Sequence, residues 1–312
     1  KVEPPPSIPI EIIVFSQKYK WTHTNLSCIV QYSTVFKDIH IVNKICIYLR
    51  FNMEILIRDS LEAGAEVAAS VVKKIINSKE NPVLGLATGG TPLRMYHELI
   101  RMKESGELSF QKCTTFNLDE YAGLPREDER SYYYYMMNNL FDHLDINRER
   151  VHLPDGNAKD LREACRKYEQ QIKNAGGIDL QVLGIGANGH IGFNEPTGSF
   201  ASRTWVKILS EQTIQDNSIY FDKLEEVPRH VVTMGIATIM ESRHCLLLAN
   251  GAKKADAIRK MIEGPISASC PASILQMHPR VTVVLDEEAA YLLTFKDHYK
   301  WVEKNKLDWQ RY

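Results

Sequence analysis

The sequence predicts an α/β protein of three layers, with an open, mostly parallel, Rossmann-like sheet covered by helices on both faces. Two features of the pattern predict this class. Short apolar runs typical of buried strands alternate with longer amphipathic stretches typical of helices, and glycines follow several of the strands. A chain of 312 residues is long enough for one large domain of this kind, or two small ones, with a sizeable core.

The elements follow one another in a regular order along the chain. A strand at residues 53–58 precedes a helix that Ser60 can cap and that ends near Asn77. Further strands are expected at residues 83–87, 113–118, 179–186, 231–235, 245–249 and 281–285, and further helices at residues 93–102, 131–144 and 159–175. Ligands bind at the carboxyl ends of strands in such sheets, so the functional side chains are expected there.

Composition and charge exclude several classes of protein. Hydrophobic residues make up 44% and charged residues 25%, which is ordinary for a globular chain, and the net charge is -1. No uncharged apolar run approaches the roughly 18 residues of a membrane helix, and no basic excess would attract nucleic acid. The six cysteines form no CxxC pair. We therefore expect a cytoplasmic protein without a membrane or nucleic-acid partner, a disulfide framework or a zinc site.

Residues 1–52 differ in composition from the rest of the chain. They contain three consecutive prolines, no glycine or alanine, and six Lys or Arg against three Asp or Glu. Because Met53 opens the first well-patterned unit, we expect it to be the functional start. Residues 1–52 are then an atypical extension that is artefactual, poorly ordered or a small added strand element. We expect residues 53–294 to form the functional domain and residues 295–312 an aromatic, basic tail.

The first strand exit of interest combines two threonines with two glycines. Thr88, Gly89, Gly90 and Thr91 lie between a predicted strand and a predicted helix. Adjacent glycines let a ligand approach the backbone, and a helix N-terminus offers free N–H groups and the positive end of a dipole. Thr91 can cap that helix or bind an anion. The segment is either a phosphate cradle or an ordinary glycine turn with a threonine cap.

The second strand exit carries two adjacent carboxylates, Asp119 and Glu120. Neighbouring side chains of a strand point to opposite faces, so one carboxylate can enter a cleft while the other makes a structural pair. A buried carboxylate in a cleft can act as a general base, with a pKa set by its surroundings. The alternative is a helix cap or a surface acid.

The third strand exit, residues 184–196, contains four glycines, which permit an irregular backbone that can wrap a ligand. His190 within it suits proton transfer near neutral pH, and Asn188 and Glu195 are close enough in sequence to orient its imidazole. No second His or Cys lies at zinc-binding spacing, so we expect no metal here.

Taken together, the three strand exits resemble those of one family, the glucosamine-6-phosphate deaminases, also grouped as glucosamine/galactosamine-6-phosphate isomerases. The resemblance spans most of the chain. It rests on residues 85–92, 116–121 and 189–196, with residues 202–204, 232–235 and 275–279 downstream. It implies the conversion of D-glucosamine 6-phosphate and water to D-fructose 6-phosphate and ammonia, without a metal or an organic cofactor.

The resemblance also implies a role for each catalytic candidate. Asp119 would move the C2 proton of the sugar toward C1 through an enolamine, and His190 would open the pyranose ring by acid–base transfer at the ring oxygen. Glu195 and Asn188 would hold and polarise His190. A carboxylate suits the abstraction of a proton from carbon, and an imidazole suits transfer between sugar oxygens.

The same resemblance places the substrate phosphate on the backbone of Gly89, Gly90 and Thr91, next to Thr88, with Lys254 as a charged clamp. Lys254 follows a predicted strand and opens a predicted helix. The interaction of a positive charge with the N-terminal end of the helix dipole is unfavourable by about 0.3–1 kcal/mol. This cost favours a role of Lys254 in ligand binding over a solvated surface position.

Three positions depart from the family pattern. Asn188 stands where many members have Asp, so it can orient His190 but cannot stabilise an imidazolium by charge. Ile219 stands where an Arg usually helps to bind the phosphate, so either a neighbouring Lys or Arg substitutes or the substrate differs. Trp205 replaces a basic residue of the region that binds the activator N-acetylglucosamine 6-phosphate in allosteric members. We therefore expect weak or no activation by that compound.

Several interpretations remain open. A related sugar-phosphate isomerase or lactonase of the same fold, or a deaminase for galactosamine 6-phosphate, also fits these residues. A sugar-phosphate sensor related to transcription regulators would lack the base and the histidine and would carry a helix-turn-helix. Here Asp119 and His190 are both present, and residues 1–52 show no such helical pattern. Because the family that the chain resembles includes monomers and hexamers, a homo-oligomer is one of the open states.

Overall fold

The computed structural model describes residues 52–312 and, for the backbone alone, residues 11–14 and 17–20. The chain divides into two compact units, residues 1–50 and residues 51–312. In the first unit, strands β1 (Glu11–Val14) and β2 (Gln17–Lys20) pair in antiparallel orientation. The remaining residues of the predicted extension, up to residue 51, lie outside the described residues.

The second unit contains, within residues 52–312, a sheet of seven parallel strands, which confirms the predicted fold class. Its strands are β3 (Asn52–Arg58), β4 (Val83–Leu86), β5 (Thr114–Asn117), β7 (Val151–His152), β8 (Leu180–Leu183), β11 (Cys245–Ala249) and β12 (Arg280–Asp286). Across the sheet they run in the order β3-β12-β11-β8-β4-β5-β7. Strands β4, β8 and β11 are buried along their whole length, which is why their sequences are nearly continuous apolar runs.

Helices cover both faces of this sheet. From β4 the chain moves to β5 and β7 on one side, whereas from β8 it moves to β11 and β12 on the other side. Because crossovers between parallel strands are right-handed, this reversal places the helices of the two halves on opposite faces. The first half contains α1 (Leu61–Asn77), α2 (Gly90–Glu104) and α3 (Tyr132–Asn139), and the second half contains α4 (Leu161–Asn174) and α7 (Ala255–Glu263).

A smaller antiparallel sheet is formed by strands that alternate in the sequence with those of the parallel sheet. The sequence pattern did not separate its strands from the parallel ones. It consists of β6 (Asp119–Tyr121), β9 (Trp205–Ile208) and β10 (His230–Thr233), in the order β6-β10-β9. The strand predicted at residues 231–235 belongs here and not to the parallel sheet. Helices α5 (Glu211–Asn217) and α6 (Ile236–Met240) flank β10 in the sequence. Strand pairing depends on contacts between distant segments, which an apolar run does not encode.

The helix predicted at residues 131–144 is shorter than expected. Helix α3 ends at Asn139, and a separate short 3-10 helix, Phe141–His143, follows it. The Asn139 amide donates a hydrogen bond to the backbone oxygen of Tyr135. Asparagine side chains compete in this way for backbone groups, which weakens a helix near its end.

The core lies between the parallel sheet and its helices. Leu56 on β3, Val72 on α1, Leu99 on α2, Leu247 on β11 and Ile258 on α7 are all at most 1% exposed. Burying such side chains stabilises the fold by about 1.5–3 kcal/mol each. The loops that carry the predicted site residues therefore begin at the ends of strands that are packed against helices.

The carboxyl-terminal residues pack against the body of the second unit. Helix α8 (Lys296–Lys304) contacts β3, where Arg58 forms an ion pair with Glu303. The Tyr312 hydroxyl lies 3.0 Å from the hydroxyl of Thr282 on β12. The end of the chain thus covers the edge of the parallel sheet that β3 forms, opposite the edge at β7.

Candidate active site

A cavity of about 370 Å³ opens at the carboxyl ends of the parallel strands. It lies where the chain leaves β4 and β8 in opposite directions, which is the position at which open α/β sheets bind ligands. Asn188 and Glu195 lie behind His190 and hold it. The other predicted site residues line the cavity: Thr88, Gly89, Gly90, Thr91, Asp119, His190 and Lys254.

A second cavity, of about 580 Å³, contains none of the predicted site residues. It lies beside β7 and the start of α4. Charges of both signs line it: Arg126, Arg148, Lys159 and Lys167 against Glu149, Asp155, Asp160 and Glu163. Because the smaller cavity is the one at which four strand exits converge, we take it as the candidate active site.

The start of α2 forms one wall of the site. Gly89, the residue before the helix, has a φ of 98°, which glycine adopts without strain. The helix begins at Gly90, so Thr91 lies in its first turn and is not the cap that the sequence suggested. The Tyr135 hydroxyl on α3 donates to the Gly89 backbone oxygen at 2.7 Å and fixes the loop. The first N–H groups of a helix lack acceptors within it, so this wall suits a phosphate.

Lys254 adds positive charge to the same cavity. It ends the 3-10 turn Ala252–Lys254 and immediately precedes α7. Its side chain is partly buried, and burial lowers its pKa, while the negative charge of Asp216 acts in the opposite direction. A partly desolvated ammonium group interacts more strongly with a dianion than an exposed lysine does.

Asp119 is the first residue of β6 and is only 6% exposed. Burial raises the pKa of its carboxyl group to about 8, and the negative charge of Glu120 contributes to the increase. Within residues 52–312, no N–H or O–H group donates a hydrogen bond to this carboxyl group. An acid with such a pKa exchanges protons near neutral pH, as a general base must.

Glu120 is buried next to Asp119 but anchors α3 instead of lining the cavity. Its carboxylate accepts hydrogen bonds from the backbone N–H groups of Tyr121, Tyr132 and Tyr133 at 2.8, 3.0 and 2.8 Å. Burial raises the pKa of Glu120, and these three N–H groups oppose the increase. The two adjacent carboxylates therefore have different environments, as alternation along a strand predicts.

His190 is oriented by a chain of hydrogen bonds. Its Nδ1 lies 2.7 Å from Asn188 Oδ1, and Asn188 Nδ2 donates to Glu195 Oε2 at 2.7 Å. Because an ionised carboxylate can only accept, the amide nitrogen of Asn188 must face Glu195 and its oxygen must face His190. His190 therefore carries its proton on Nδ1, and because Nε2 has no hydrogen-bond partner among residues 52–312, it can exchange a proton in the cavity that His190 lines.

Glu195 is the charged end of this chain of hydrogen bonds. Its Oε1 accepts from Thr213 Oγ1 at 2.5 Å and from Ser210 Oγ at 3.1 Å. Its Oε2 lies 3.7 Å from His190 Nδ1, which is too far for a hydrogen bond but close enough for charge stabilisation. Burial alone would raise the pKa of Glu195, but its interactions with His190, Thr213 and Asn188 outweigh burial and hold the pKa at about 2.

The loop that carries His190 passes close to Asp119. The N–H group of Phe193 donates to Thr233 Oγ1 at 3.0 Å, and Thr233 pairs directly with Asp119 between β10 and β6. A Cβ atom on Gly192 would lie 3.8 Å from Asp119 Oδ2. The candidate base and the candidate acid–base imidazole are thus brought to one cleft by the pairing of the small antiparallel sheet.

The described part of the chain was expected to contain neither a metal site nor a disulfide framework. There, no group of three or more His, Cys, Asp or Glu side chains is arranged to hold a metal ion. Four cysteines in this part, Cys113, Cys165, Cys245 and Cys270, are buried and unpaired, while Cys28 and Cys46 lie outside it. Among the described helices, none is long and apolar enough to cross a membrane.

Comparison with known proteins identifies the family. Residues 58–284 match the family described as glucosamine-6-phosphate isomerases/6-phosphogluconolactonase. The chain belongs to this family. Over 83% of its length it is 51% identical to a glucosamine-6-phosphate deaminase of Corynebacterium kroppenstedtii, and the match covers 100% of that protein.

Solved structures of this isomerase/lactonase family share the fold. A monomeric glucosamine-6-phosphate deaminase is 50% identical, with a TM-score of 0.76 over 77% of this chain and 100% of its own. A 6-phosphogluconolactonase from Trypanosoma cruzi is 22% identical, with a TM-score of 0.63 over 79% of this chain and 98% of its own. The second likeness concerns the fold alone.

Because position 219 is Ile and not Arg, the positive charge for a phosphate must come from another side chain, and two of the described Lys or Arg side chains line the cavity. Ile219 is 77% exposed. Within the described residues, Lys254 and Arg130 are the side chains of this type that line the cavity. Arg130 forms ion pairs with Asp128 and Glu226, so its charge is already engaged. Lys254 is thus the cation available to a phosphate.

The sequence pattern did not single out several residues that shape the site. Thr213 on α5, Tyr132 on α3 and Tyr220 line the cavity, and the ring of Tyr132 stacks on that of Phe193. The run of four tyrosines at residues 132–135 is visible in the sequence, but what it contacts follows only from the fold. Nothing local marks Thr213, which is one threonine in a short polar helix.

Proposed function

We propose that this chain is a glucosamine-6-phosphate deaminase, an enzyme that converts D-glucosamine 6-phosphate and water to D-fructose 6-phosphate and ammonia. One observation carries the proposal. The buried carboxyl group of Asp119 and the free Nε2 of His190 share a cavity whose wall includes a helix N-terminus and Lys254. The 51% identical relative carries the same name.

The substrate phosphate binds at the start of α2. The N–H groups of Gly90 and Thr91 donate to its oxygens, the helix dipole favours its negative charge, and Lys254 supplies a charge-assisted contact. This anchors one end of the sugar. The ring oxygen, C1 and C2 then extend across the cavity toward His190 and Asp119.

His190 opens the pyranose ring. Its Nε2 accepts the proton of the anomeric hydroxyl and returns a proton to the ring oxygen as the bond between C1 and that oxygen breaks. The transient imidazolium is stabilised by the charge of Glu195, 3.7 Å from Nδ1, while Asn188 fixes the ring orientation. Orientation and charge thus come from two residues, which accounts for a neutral amide at position 188.

Asp119 carries out the isomerisation. As a carboxylate it removes the proton from C2, and the electron pair forms the C1=C2 double bond of the enolamine. The C1 carbonyl becomes a hydroxyl with a proton from the substrate's own ammonium group. Asp119 then delivers its proton to C1, which leaves an iminium at C2 and restores the carboxylate. Water then hydrolyses the resulting C2 imine to the ketone, and ammonia leaves. The ammonium group of the substrate lowers the pKa of the neighbouring Asp119 from about 8, so the base ionises when substrate binds.

Ammonia release with two epimeric substrates tests the proposal. The purified protein is incubated with glucosamine 6-phosphate and, separately, with galactosamine 6-phosphate, and both ammonia and ketose phosphate are measured. We expect turnover of the gluco substrate, with equal amounts of ammonia and fructose 6-phosphate. Preference for the galacto substrate would assign the site to that epimer. If neither amino-sugar phosphate releases ammonia but the protein hydrolyses 6-phosphogluconolactone in a separate incubation, the result would favour the lactonase branch of the family.

We further propose that the enzyme works in the cytoplasm, where unpaired thiols such as Cys113 and Cys245 persist. Fractionation of cells that produce the protein checks this location. One structural neighbour is described as monomeric, which favours a monomer over the homo-oligomer that the sequence left open. Light scattering of the purified chain measures its mass in solution, and a stable oligomer would contradict this proposal.

A further inference from the structure

We propose that Thr213 is a positioning residue for the ring-opening histidine. Its hydroxyl fixes Glu195, which fixes Asn188 and, through the amide of Asn188, the tautomer and orientation of His190. This inference rests on the proposed function, because it assigns a residue to that reaction. Thr213 acts through Glu195 and takes no part in the proton transfers themselves.

The hydrogen bond between Thr213 and Glu195 is short and buried. Thr213 Oγ1 lies 2.5 Å from Glu195 Oε1, and the two residues are 4% and 6% exposed. This distance is typical of a hydroxyl that donates to an ionised carboxylate. The direction is set by chemistry, since an ionised carboxylate has no proton to donate.

The cap of α5 holds Thr213 in place. Ser210 precedes the helix, and its hydroxyl oxygen accepts the backbone N–H of Thr213 at 3.2 Å. The Ser210 hydroxyl also lies 3.0 Å from Thr213 Oγ1 and 3.1 Å from Glu195 Oε1. Because Ser210 has a single hydroxyl proton, it donates to one of these oxygens at a time. Thr213 is therefore the constant donor to Glu195.

Helix α5 contacts both the hydrogen-bonded chain of Glu195, Asn188 and His190 and the strand that carries Asp119. Near its start, Thr213 contacts Glu195, and at its end, Asn217 Nδ2 donates to the Tyr121 hydroxyl at 2.9 Å. Tyr121 belongs to β6, which begins at Asp119. The removal of the Thr213 hydroxyl therefore disturbs the contact with Glu195, while the hydrogen bond between Asn217 and Tyr121 at the end of α5 stays in place.

Without that hydroxyl, Glu195 Oε1 loses its closest donor. The carboxylate is then less restrained, and the amide of Asn188 is less firmly held in the orientation that makes His190 carry its proton on Nδ1. The phosphate site and Asp119 are untouched by this change. We therefore expect ring opening to slow while substrate binding is kept.

The test compares Thr213→Val and Thr213→Ser with the wild type in ammonia release from glucosamine 6-phosphate. Valine keeps the shape of threonine without the hydroxyl, and serine keeps the hydroxyl. We expect Thr213→Val to lower kcat about 10- to 100-fold, the usual effect of losing a hydrogen bond to a charged group, with little change in KM. Thr213→Ser should recover most of the wild-type kcat.

The matched control is Gln215→Val, which places the same side chain on the exposed side of the same helix. It should keep wild-type kinetics, which would exclude a general effect of valine on α5. If Thr213→Val does not fold, Thr213→Ala removes the same hydroxyl without a β-branched side chain.

Two results would overturn the inference. One is a folded Thr213→Val or Thr213→Ala variant with the kcat of the wild type, and the other is a loss that Thr213→Ser does not restore. A rise in KM as large as the fall in kcat would also count against it, since that indicates a disturbed cavity. A wild-type protein that releases no ammonia would instead reject the proposed function, so the two failures are distinguishable.

Discussion

Asp119 and Glu195 are both buried, at 6% exposed each, with Asp119 the deeper of the two, and their pKa values are shifted in opposite directions. Burial raises the pKa of Asp119 to about 8, whereas the pKa of Glu195 is held at about 2. The difference lies in their depth of burial and in their neighbours. The pKa of Glu195 is lowered first by His190 and then by the Thr213 hydroxyl and the Asn188 amide, while Asp119 lies beside the negative charge of Glu120.

The comparison teaches that the depth of burial, the hydrogen-bond donors and the neighbouring charges together decide whether a carboxyl group is ionised. The loop after β8 and the start of α5 supply donors to Glu195, so it remains an anion that is linked to His190 through the Asn188 amide. Strand β6 supplies none to Asp119, so that group can take up and release a proton near neutral pH. One site thus contains a permanent charge and an exchangeable proton, built from the same functional group.

The largest effect is expected from the removal of the exchangeable carboxyl group. Asp119→Asn keeps the size of the side chain but cannot accept the C2 proton. The kcat for ammonia release should therefore fall about 10²- to 10⁴-fold, the usual contribution of a general base. Steady-state ammonia release measures this, with circular dichroism to show that the variant is folded.

Glu127→Gln is the matched control for that variant. Glu127 is an exposed acid between β6 and α3, and it does not line the cavity, so its loss should leave turnover at the wild-type level. Wild-type activity in folded Asp119→Asn would remove Asp119 from the mechanism. The raised pKa of Asp119 would then have no role in catalysis, and its contrast with Glu195 would be structural only.

The opposite pKa shifts also predict opposite pH dependences of folding stability. The pKa of Asp119 is raised from 3.8 to about 8, so its contribution to stability is full below pH 3.8 and is lost as the pH rises through about 8. The pKa of Glu195 is lowered from 4.5 to about 2, so its contribution is full above pH 4.5 and is lost as the pH falls through about 2.

Asp119→Asn should accordingly be more stable than the wild type at pH 9, by roughly a few kcal/mol, with a smaller difference at pH 5. Glu195→Gln should be less stable than the wild type at pH 7, by about 1–3 kcal/mol, with a smaller difference at pH 3. Urea unfolding at these pH values gives the free energies. Stability differences that change with pH in the same sense for both variants would break the comparison.

The three strand exits show what could be predicted from the sequence. The parallel sheet and the loops after β4, β5 and β8 follow from apolar runs and glycines, which act within a few residues of one another. Asp119 and His190 could therefore be placed at strand ends, where parallel strands bring such residues together. The sequence also contained the information that Glu195 and Asn188 lie near His190, because all three belong to one loop.

Contacts between distant segments could not be predicted in this way. The pairing of Thr233 with Asp119, which brings the proposed base next to the loop of His190, depends on a small antiparallel sheet that no local pattern marks. The contact between Thr213 and Glu195 depends on where α5 packs. The incorrect cap at Thr91 has a local cause, since glycine and threonine are both acceptable cap residues and the conformation of Gly89 decided between them.

The smallest effect is expected from the neighbour of the base. Glu120→Gln removes a negative charge that helps to raise the pKa of Asp119, so the acid limb of kcat/KM against pH should move to lower pH, on the order of 0.5–1 pH unit. Glu127→Gln should leave that limb in place. An unmoved limb in folded Glu120→Gln would mean that burial alone sets the pKa of Asp119. The contrast with Glu195 would then rest on the depth of burial and on the groups around Glu195, and not on the charge of Glu120.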